Sequence, residues 1–196
     1  MRLDAICRFQ SGFTPRGRLD QAVAGGLMAM QLRDLRDDGT IDLAGLQRFD
    51  LDLQVERYAI NPGDVVFRSR GLVNLAYAVS DDVTEPVVAL LPLIVLRPLS
   101  GLVTAEYLAW AINQPDAQRQ VALGAQGQTV RMIPKSSLEG VTIPVPDIST
   151  QRSIVQVAQL ANREAVLLHQ LADRRTQFTG RVLADLAQSG AQQKGF

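Results

Sequence analysis

The segment 143–175 reads IPVPDISTQRSIVQVAQLANREAVLLHQLADRR and separates two parts of different character. Pro144 and Pro146 favour an extended link, because the residue before a proline avoids the helical conformation. Ser149 is the N-cap that we expect for the helix that follows. Residues 150–188 contain no proline and only one glycine, Gly180, which could end or hinge the helix. Unbroken, this helix would be about 58 Å long.

The apolar residues of this helix repeat with heptad spacing. With Ile154 at position a, seven of the ten a and d residues are apolar. The a and d residues are Ile154, Val157, Ala161, Glu164, Leu168, Leu171, Arg175, Phe178, Val182 and Asp185. Two interpretations stay open: a helix that packs back on its own sheet, or a helix that contacts a partner helix. For the second, the predicted interface is Ile154, Val157, Ala161, Leu168, Leu171 and Phe178.

Residues 1–148 alternate short apolar runs with glycine and proline, which predicts short strands in an irregular, mostly antiparallel sheet. The predicted strands are 28–32, 65–67, 76–79, 93–96, 130–133 and 141–143. Asn61-Pro62-Gly63-Asp64 has the composition of a type II turn. Two short helices are expected, 105–113 after a Thr104 cap and 116–123 between Pro115 and Gly124. The fold class is therefore α+β, with a domain at 1–148, a long helix at 149–188 and a disordered tail at 189–196.

Composition excludes several classes of protein. The chain has 196 residues, 46% of them hydrophobic, with 20 basic and 20 acidic side chains and one cysteine, Cys7. A lone cysteine allows no internal disulfide and suits a reducing cytoplasm. The N-terminus lacks the apolar run of a signal peptide, and no stretch is apolar enough to cross a membrane. We therefore expect a cytoplasmic protein without a membrane partner.

The inventory of reactive residues predicts a protein that is not an enzyme. His169 is the sole histidine and lies far from Cys7 in sequence, so no zinc site and no metal ligand set is predicted. Lysine occurs only at positions 135 and 194, and neither follows the glycines of a nucleotide-binding loop. The pairs Asp37-Asp38 and Asp81-Asp82 are interpreted as solvated loop charge. No cofactor is expected.

Three loops rich in Arg, Gln, Asn, Ser and Gly accompany the predicted strands. They are the first loop (residues 10–18), the second loop (68–74) and the third loop (124–131). Arginine can pair with guanine O6 and N7, and Gln or Asn can pair with adenine N6 and N7. Glycine allows backbone N–H groups to approach phosphates. These loops predict contact with double-stranded DNA.

A series of short motifs along the chain resembles those of a known family. The motifs are Ser-Gly-Phe-Thr-Pro at 11–15, Pro-Gly-Asp-Val-Val at 62–66 with Ser-Arg-Gly at 69–71, Glu-Tyr-Leu at 106–108, Gly-Gln-Thr at 127–129, Ile-Pro-Val-Pro at 143–146 and Gln-Arg-Ser-Ile-Val at 151–155. In this order they resemble one target recognition domain and one conserved helix of the DNA specificity subunit of type I restriction–modification enzymes. The resemblance covers roughly 1–180, about half of the usual subunit.

The resemblance implies a non-catalytic protein that directs adenine-N6 methylation and restriction by its partners. Those partners are an adenine-N6 methyltransferase subunit and an endonuclease/translocase subunit. Since the family reads split targets with two domains held apart by paired helices, a single domain predicts a homodimer through the long helix, which would also dock the methyltransferase. The alternative is an interaction or inhibitory module of an anti-phage defence system with the same fold and no DNA reading.

The candidate DNA contacts follow from the three loops. They are Arg16, Arg18, Arg68, Arg70, Asn74, Gln126, Gln128 and Arg131. Weaker candidates for phosphate contact are Arg33, Arg36 and Lys135.

Overall fold

The computed structural model describes residues 1–15, 17, 19–22, 25–51, 57–127 and 131–192, with side chains up to residue 188. It divides into two compact units, Met1–Ser153 and the chain from Ile154 onward. The first unit contains two sheets and short helices, and the second is helical as far as it is described, to Gln192. The α+β class with a long C-terminal helix is confirmed.

Within the described ranges, eight short strands precede the main helices. They are β1 (Cys7–Ser11), β2 (Leu27–Met30), β3 (Gln47–Phe49), β4 (Ala59–Ile60), β5 (Val65–Arg68), β6 (Ala76–Ala78), β7 (Val87–Ala89) and β8 (Leu93–Pro98). The α-helices are α1 (Leu3–Ile6), α2 (Ala105–Ile112), α3 (Pro115–Leu123), α4 (Lys135–Glu139) and α5 (Ile148–Gln192). Single 3-10 turns occupy Leu32–Asp34 and Leu43–Gly45.

The strands form two four-stranded sheets, in the orders β1-β8-β5-β6 and β3-β2-β7-β4. The first sheet is antiparallel throughout. The second contains one parallel pair, β2 with β7, between antiparallel neighbours. Buried residues of both sheets, among them Met30, Val66, Tyr77 and Val95, belong to one core cluster. The predicted mostly antiparallel sheet is thus two sheets that share a core.

Capping and turn signals located the two predicted short helices, α2 and α3, to within one residue, whereas α1 and α4 were not predicted. Thr104 is the N-cap of α2, because its Oγ1 accepts a hydrogen bond from the Tyr107 N–H at 3.3 Å. Pro115 is the first residue of α3, and Gly124 follows its end. Gly63 has φ of 84°, and the Asp64 N–H donates to the Asn61 carbonyl at 3.0 Å, as the predicted turn requires.

The sequence misplaced some boundaries. Helix α5 begins at Ile148, so the predicted Ser149 N-cap is wrong. Asp147 precedes the helix, and its Oδ1 accepts from the Thr150 N–H at 3.0 Å. Hydrogen bonds from the Ser149 and Thr150 hydroxyls hold the pKa of Asp147 well below its usual range. The predicted strand 141–143 is reduced to a bridge between Thr142 and Arg2.

Gln151, which sequence reasoning left without a role, holds the first turn of α5 in the domain. Its side chain is fully buried. Oε1 accepts from the Thr104 N–H at 3.0 Å, and Nε2 donates to the carbonyls of Leu102 at 2.9 Å and Pro146 at 2.8 Å. Every polar atom of the side chain therefore has a main-chain partner.

Helix α5 is continuous over 45 residues and passes through Gly180 without a break. At 1.5 Å per residue this is about 68 Å. Nothing in the described part of the chain is a helix both long and apolar enough to cross a membrane.

Candidate nucleic-acid interface

Main-chain hydrogen bonds join the second loop to the third. The Gly71 N–H donates to the Arg131 carbonyl at 3.1 Å, and the Ile133 N–H donates to the Ser69 carbonyl at 2.7 Å. Gln126 and Met132 exchange both of their main-chain hydrogen bonds at 2.9 Å. Residues 69–71, 126 and 131–133 are hereafter called the loop platform. Two of the three predicted DNA-contacting loops therefore lie side by side.

The turn 90–93 links the platform to the start of the first loop. The Gly12 N–H donates to the Leu93 carbonyl at 2.8 Å, and the Phe13 N–H donates to the Ala89 carbonyl at 2.7 Å. On the other side of the turn, the Ser69 N–H donates to the Pro92 carbonyl at 3.3 Å. Residues 12–13 of the first loop are thus placed beside the same turn as the platform.

Gly12 is required by this close approach. A Cβ at this position would lie 2.6 Å from the carbonyl carbon of Leu90 and 2.8 Å from the nitrogen of Leu91. These are backbone atoms, so the contact can be relieved only by moving the turn. At Gly17, by contrast, a Cβ would meet no atom within 4 Å.

We expect Gly12→Ala to lower the free energy of unfolding by about 1–3 kcal/mol, as for a side chain forced into a packed site. The measurement is urea denaturation followed by circular dichroism. Gly17→Ala is the matched control and should stay within about 0.5 kcal/mol of the wild type. Equal stability of the two variants would show that the first loop and the turn do not approach in this way.

Asn74 and the amides of the neighbouring helices hold the base of the second loop. Asn74 is buried, and its Nδ2 donates to the Arg68 carbonyl at 3.0 Å. Gln118 Nε2 donates to the Asn74 carbonyl at 3.0 Å. Asn113 Oδ1 accepts from the Ala76 N–H and Asn113 Nδ2 donates to the Ala76 carbonyl, both at 2.8 Å. The amide thus takes the place of a neighbouring strand. A fixed base supports a loop whose geometry does not depend on its outer side chains.

The predicted contacts divide by their environment. Arg70, Gln126 and Arg131 are exposed on the platform, whereas Asn74 is buried beneath it. Arg68 is half-buried, with an exposed fraction of 21%, and its Nη1 lies 2.8 Å from Asp37 Oδ1. Arg16, Arg18 and Gln128 lie outside the described residues.

The three weaker phosphate candidates are all engaged by side chains of their own chain. Arg36 lies 3.0 Å from Asp42, and Lys135 lies 3.1 Å from Glu139 on the next turn of α4. Arg33 Nη2 donates to Gln47 Oε1. Their ammonium and guanidinium groups are exposed enough to be screened by water, so these contacts do not prevent exchange for a phosphate.

Apolar side chains are exposed among the same loops. Leu72 follows Gly71 and is 91% exposed, and Met132 is 46% exposed. A leucine or methionine in a base-reading loop can contact the methyl group of thymine. The interface therefore offers apolar as well as cationic and amide groups.

The groups that could support catalysis are few in the described residues. No three His, Cys, Asp or Glu side chains of the described ranges lie together as a metal site. Cys7 is buried, and burial raises the pKa of its thiol to about 12, so the reactive thiolate is suppressed at neutral pH.

The second unit exposes the predicted helix interface. Val157, Leu168, Leu171 and Phe178 are each more than half exposed, and Ala161 is exposed as well. Ile154, at the start of the unit, is half-buried. Exposed apolar side chains repeated along one face are typical of a helix that contacts another.

Comparisons with known proteins identify the fold. No family model matches the chain, and no curated protein matches it significantly. The HsdS subunit of Thermoanaerobacter tengcongensis matches with a TM-score of 0.62 and 22% identity, over 86% of this chain and 38% of that one. The type I restriction–modification S subunit of M. genitalium matches with a TM-score of 0.56 and 12% identity, over 82% and 37%.

A third structure, of a type I R-M system described for its complex assembly and conformational transition, has a TM-score of 0.56 and 21% identity, over 85% of this chain and 38% of that one. The chain thus spans between a third and two fifths of the length of each structure that it matches. At these identities the likeness concerns the fold. The chain has the fold of part of a type I restriction–modification S subunit.

Proposed function

We propose that the chain is a non-catalytic DNA specificity subunit, which directs adenine-N6 methylation and restriction by partner subunits. The observation that carries this proposal is the loop platform, which presents Arg70, Gln126 and Arg131 together on a main-chain support. These residue types pair with guanine and adenine edges in the major groove. The fold shared with S subunits supports the same function.

The test is a gel shift with random duplex DNA over a range of salt concentrations. A DNA-reading protein releases counterions from the phosphates, so its affinity should fall steeply as salt rises. An interaction module of a defence system, the alternative function, should not bind the duplex. Methylome sequencing of cells that hold this chain and a type I methyltransferase would then give the target.

We expect Arg70→Ala to lose about 1–3 kcal/mol of discrimination at one base pair, as for a lost bidentate contact. The measurement compares the affinity for the methylated target with that for duplexes altered at single positions. Arg36→Ala is the control, because a phosphate contact weakens all duplexes equally. If Arg70→Ala kept every base preference of the wild type, the loop platform would not be part of the DNA-reading surface.

A split target requires two reading domains, and we propose that a second copy of the chain supplies the other one through α5. The a and d residues of one α5 helix complement those of a second copy that runs in the opposite direction. In an antiparallel pair with full overlap, Leu168 packs against the partner's Leu171, and Ala161 packs against the partner's Phe178. The small Ala161 thus lies opposite the large Phe178, which helps to fill the seam.

Charge complementarity favours the same arrangement. Three a and d residues are charged, and two of them, Glu164 and Arg175, lie opposite each other in the antiparallel register. The third, Asp185, lies toward the end of the helix, opposite the partner's Ile154. A parallel pair would place Glu164 opposite Glu164 and Arg175 opposite Arg175. Since like charges in a seam are costly, the antiparallel pair with closed two-fold symmetry is favoured. Identical reading domains should select an interrupted palindrome.

A further inference from the structure

A carboxylate is placed beside the second loop by a turn distant in sequence. Leu35 and Ile41 pair as a bridge, and the Arg36 N–H donates to the Thr40 carbonyl at 2.9 Å. Asp37 lies in the turn between them, and its Oδ1 lies 2.8 Å from Arg68 Nη1. Arg68 precedes the platform by one residue, so Asp37 lies next to the proposed reading surface.

Arg68 is held at the base of the loop and does not face outward. A Cβ added to Gly71 would lie 3.4 Å from both Nε and Nη2 of Arg68, so the guanidinium packs against that glycine. Its Nε is buried without a hydrogen-bond partner among the described residues, as is the hydroxyl of Tyr77. Burial raises the pKa of Tyr77, and the neighbouring Arg68 guanidinium opposes this rise.

The outward-facing member of the ion pair is therefore Asp37. Its side chain is 74% exposed, whereas that of Arg68 is 21% exposed. An alternative role for Asp37 is to block a phosphate from reaching Arg68. That role requires the Arg68 guanidinium to become accessible once the carboxylate moves away. The packing of Arg68 against Gly71 argues against that role.

An unpaired carboxylate at a DNA surface is repelled by the phosphates. Pairing with Arg68 neutralises Asp37, yet a carboxylate has about four lone-pair positions and the ion pair uses only part of them. The free positions accept hydrogen bonds and cannot donate. In the major groove, the amino donor of adenine stands beside the acceptor N7, whereas the amino donor of cytosine has no acceptor on its own base beside it.

We propose that Asp37 determines specificity by accepting a hydrogen bond from the N4 amino group of a cytosine, with Arg68 as its positioning residue. This inference rests on the proposed DNA-reading function. It assigns to Asp37 a contact that the sequence pattern had suggested for Arg68. Arg68 then acts through the carboxylate that it holds.

The test is selection from a randomised duplex library with the full chain and its Asp37 variants. The wild type should prefer cytosine by about tenfold at one position of its motif, and Asp37→Ala should reduce this preference below about threefold. Asp37→Asn should turn it toward adenine, because an amide can pair with N6 and N7 together. Asp38→Asn is the matched control, since Asp38 bonds to Thr40 and not to Arg68.

Each other outcome contradicts the inference in its own way. A motif unchanged by both Asp37 variants would remove Asp37 from the reading surface and leave the proposed function intact. A uniform gain of affinity with an unchanged motif would show that Asp37 competes with phosphate for Arg68. A wild-type chain that enriches no sequence would overturn the proposed function together with the inference.

Discussion

Leu168→Asp should convert the proposed dimer into monomers, with the dissociation constant raised at least about 100-fold. In the proposed antiparallel pair, Leu168 lies beside the symmetry axis and packs against the partner's Leu171. The substitution therefore buries two unpaired carboxylates near the middle of an apolar seam, and an unpaired buried charge costs about 3–5 kcal/mol. Light scattering across the micromolar range measures the result.

Val166→Asp is the matched control for this variant. Val166 occupies the f position, on the opposite side of α5 from the seam, and is 47% exposed. The same chemical change should leave the dimer intact. A wild-type chain that stays monomeric at these concentrations, and in the presence of DNA and the methyltransferase, would contradict the dimer itself.

Glu164→Arg should also weaken the dimer, by about 10-fold or more, because it places two arginines opposite each other on both sides of the axis. The double variant Glu164→Arg/Arg175→Glu restores opposite charges and should recover affinity to within about threefold. Neither Glu164 nor Arg175 has an ion-pair partner among the described residues, so the exchange leaves internal salt bridges unchanged. Sedimentation equilibrium measures both constants.

This pair of variants distinguishes the two helix orientations. In a parallel dimer the double exchange would still place like charges opposite each other, so no recovery would be seen. Asp173→Arg makes the same change of charge at an f position, outside the seam, and should have little effect on the dissociation constant. In the wild type, Asp173 Oδ2 lies 3.8 Å from His169 Nε2. A loss of affinity in this control would mean that net charge, and not the seam, governs association.

Local signals were sufficient for much of the fold. Thr104, Pro115 and Gly124 bounded α2 and α3 because capping and proline geometry act within one helical turn. The heptad spacing located α5 because residues three and four apart share one face of a helix, which is also a local signal. The Ser149 cap was wrong because Asp147, two residues earlier, belongs to an equally favourable class of capping residue and accepts from the Thr150 N–H.

Long-range pairing was beyond the sequence pattern. Strand β1 pairs through its main chain with β8, some ninety residues later. Residues 7–10 alternate apolar with polar side chains, but so short an alternation does not indicate which distant strand is the partner. The loop platform depends on main-chain hydrogen bonds between residues 69–71 and 131–133, which no local signal encodes. The sequence predicted three candidate DNA-contacting loops but could not show that Arg68 is half-buried and paired with the exposed Asp37, because their contact spans 31 residues.

The loop platform is joined by N–H and carbonyl groups, which every residue other than proline possesses. Side chains at Arg70, Gln126 and Arg131 contribute nothing to those bonds, so they are free to vary without loss of the local architecture. Under the proposed DNA-reading function, new target preferences arise by single substitutions that are each neutral for folding. An engineer could exploit the same tolerance by exchanging these three positions in a combinatorial library while keeping Gly71, Asn74 and Gln118 constant.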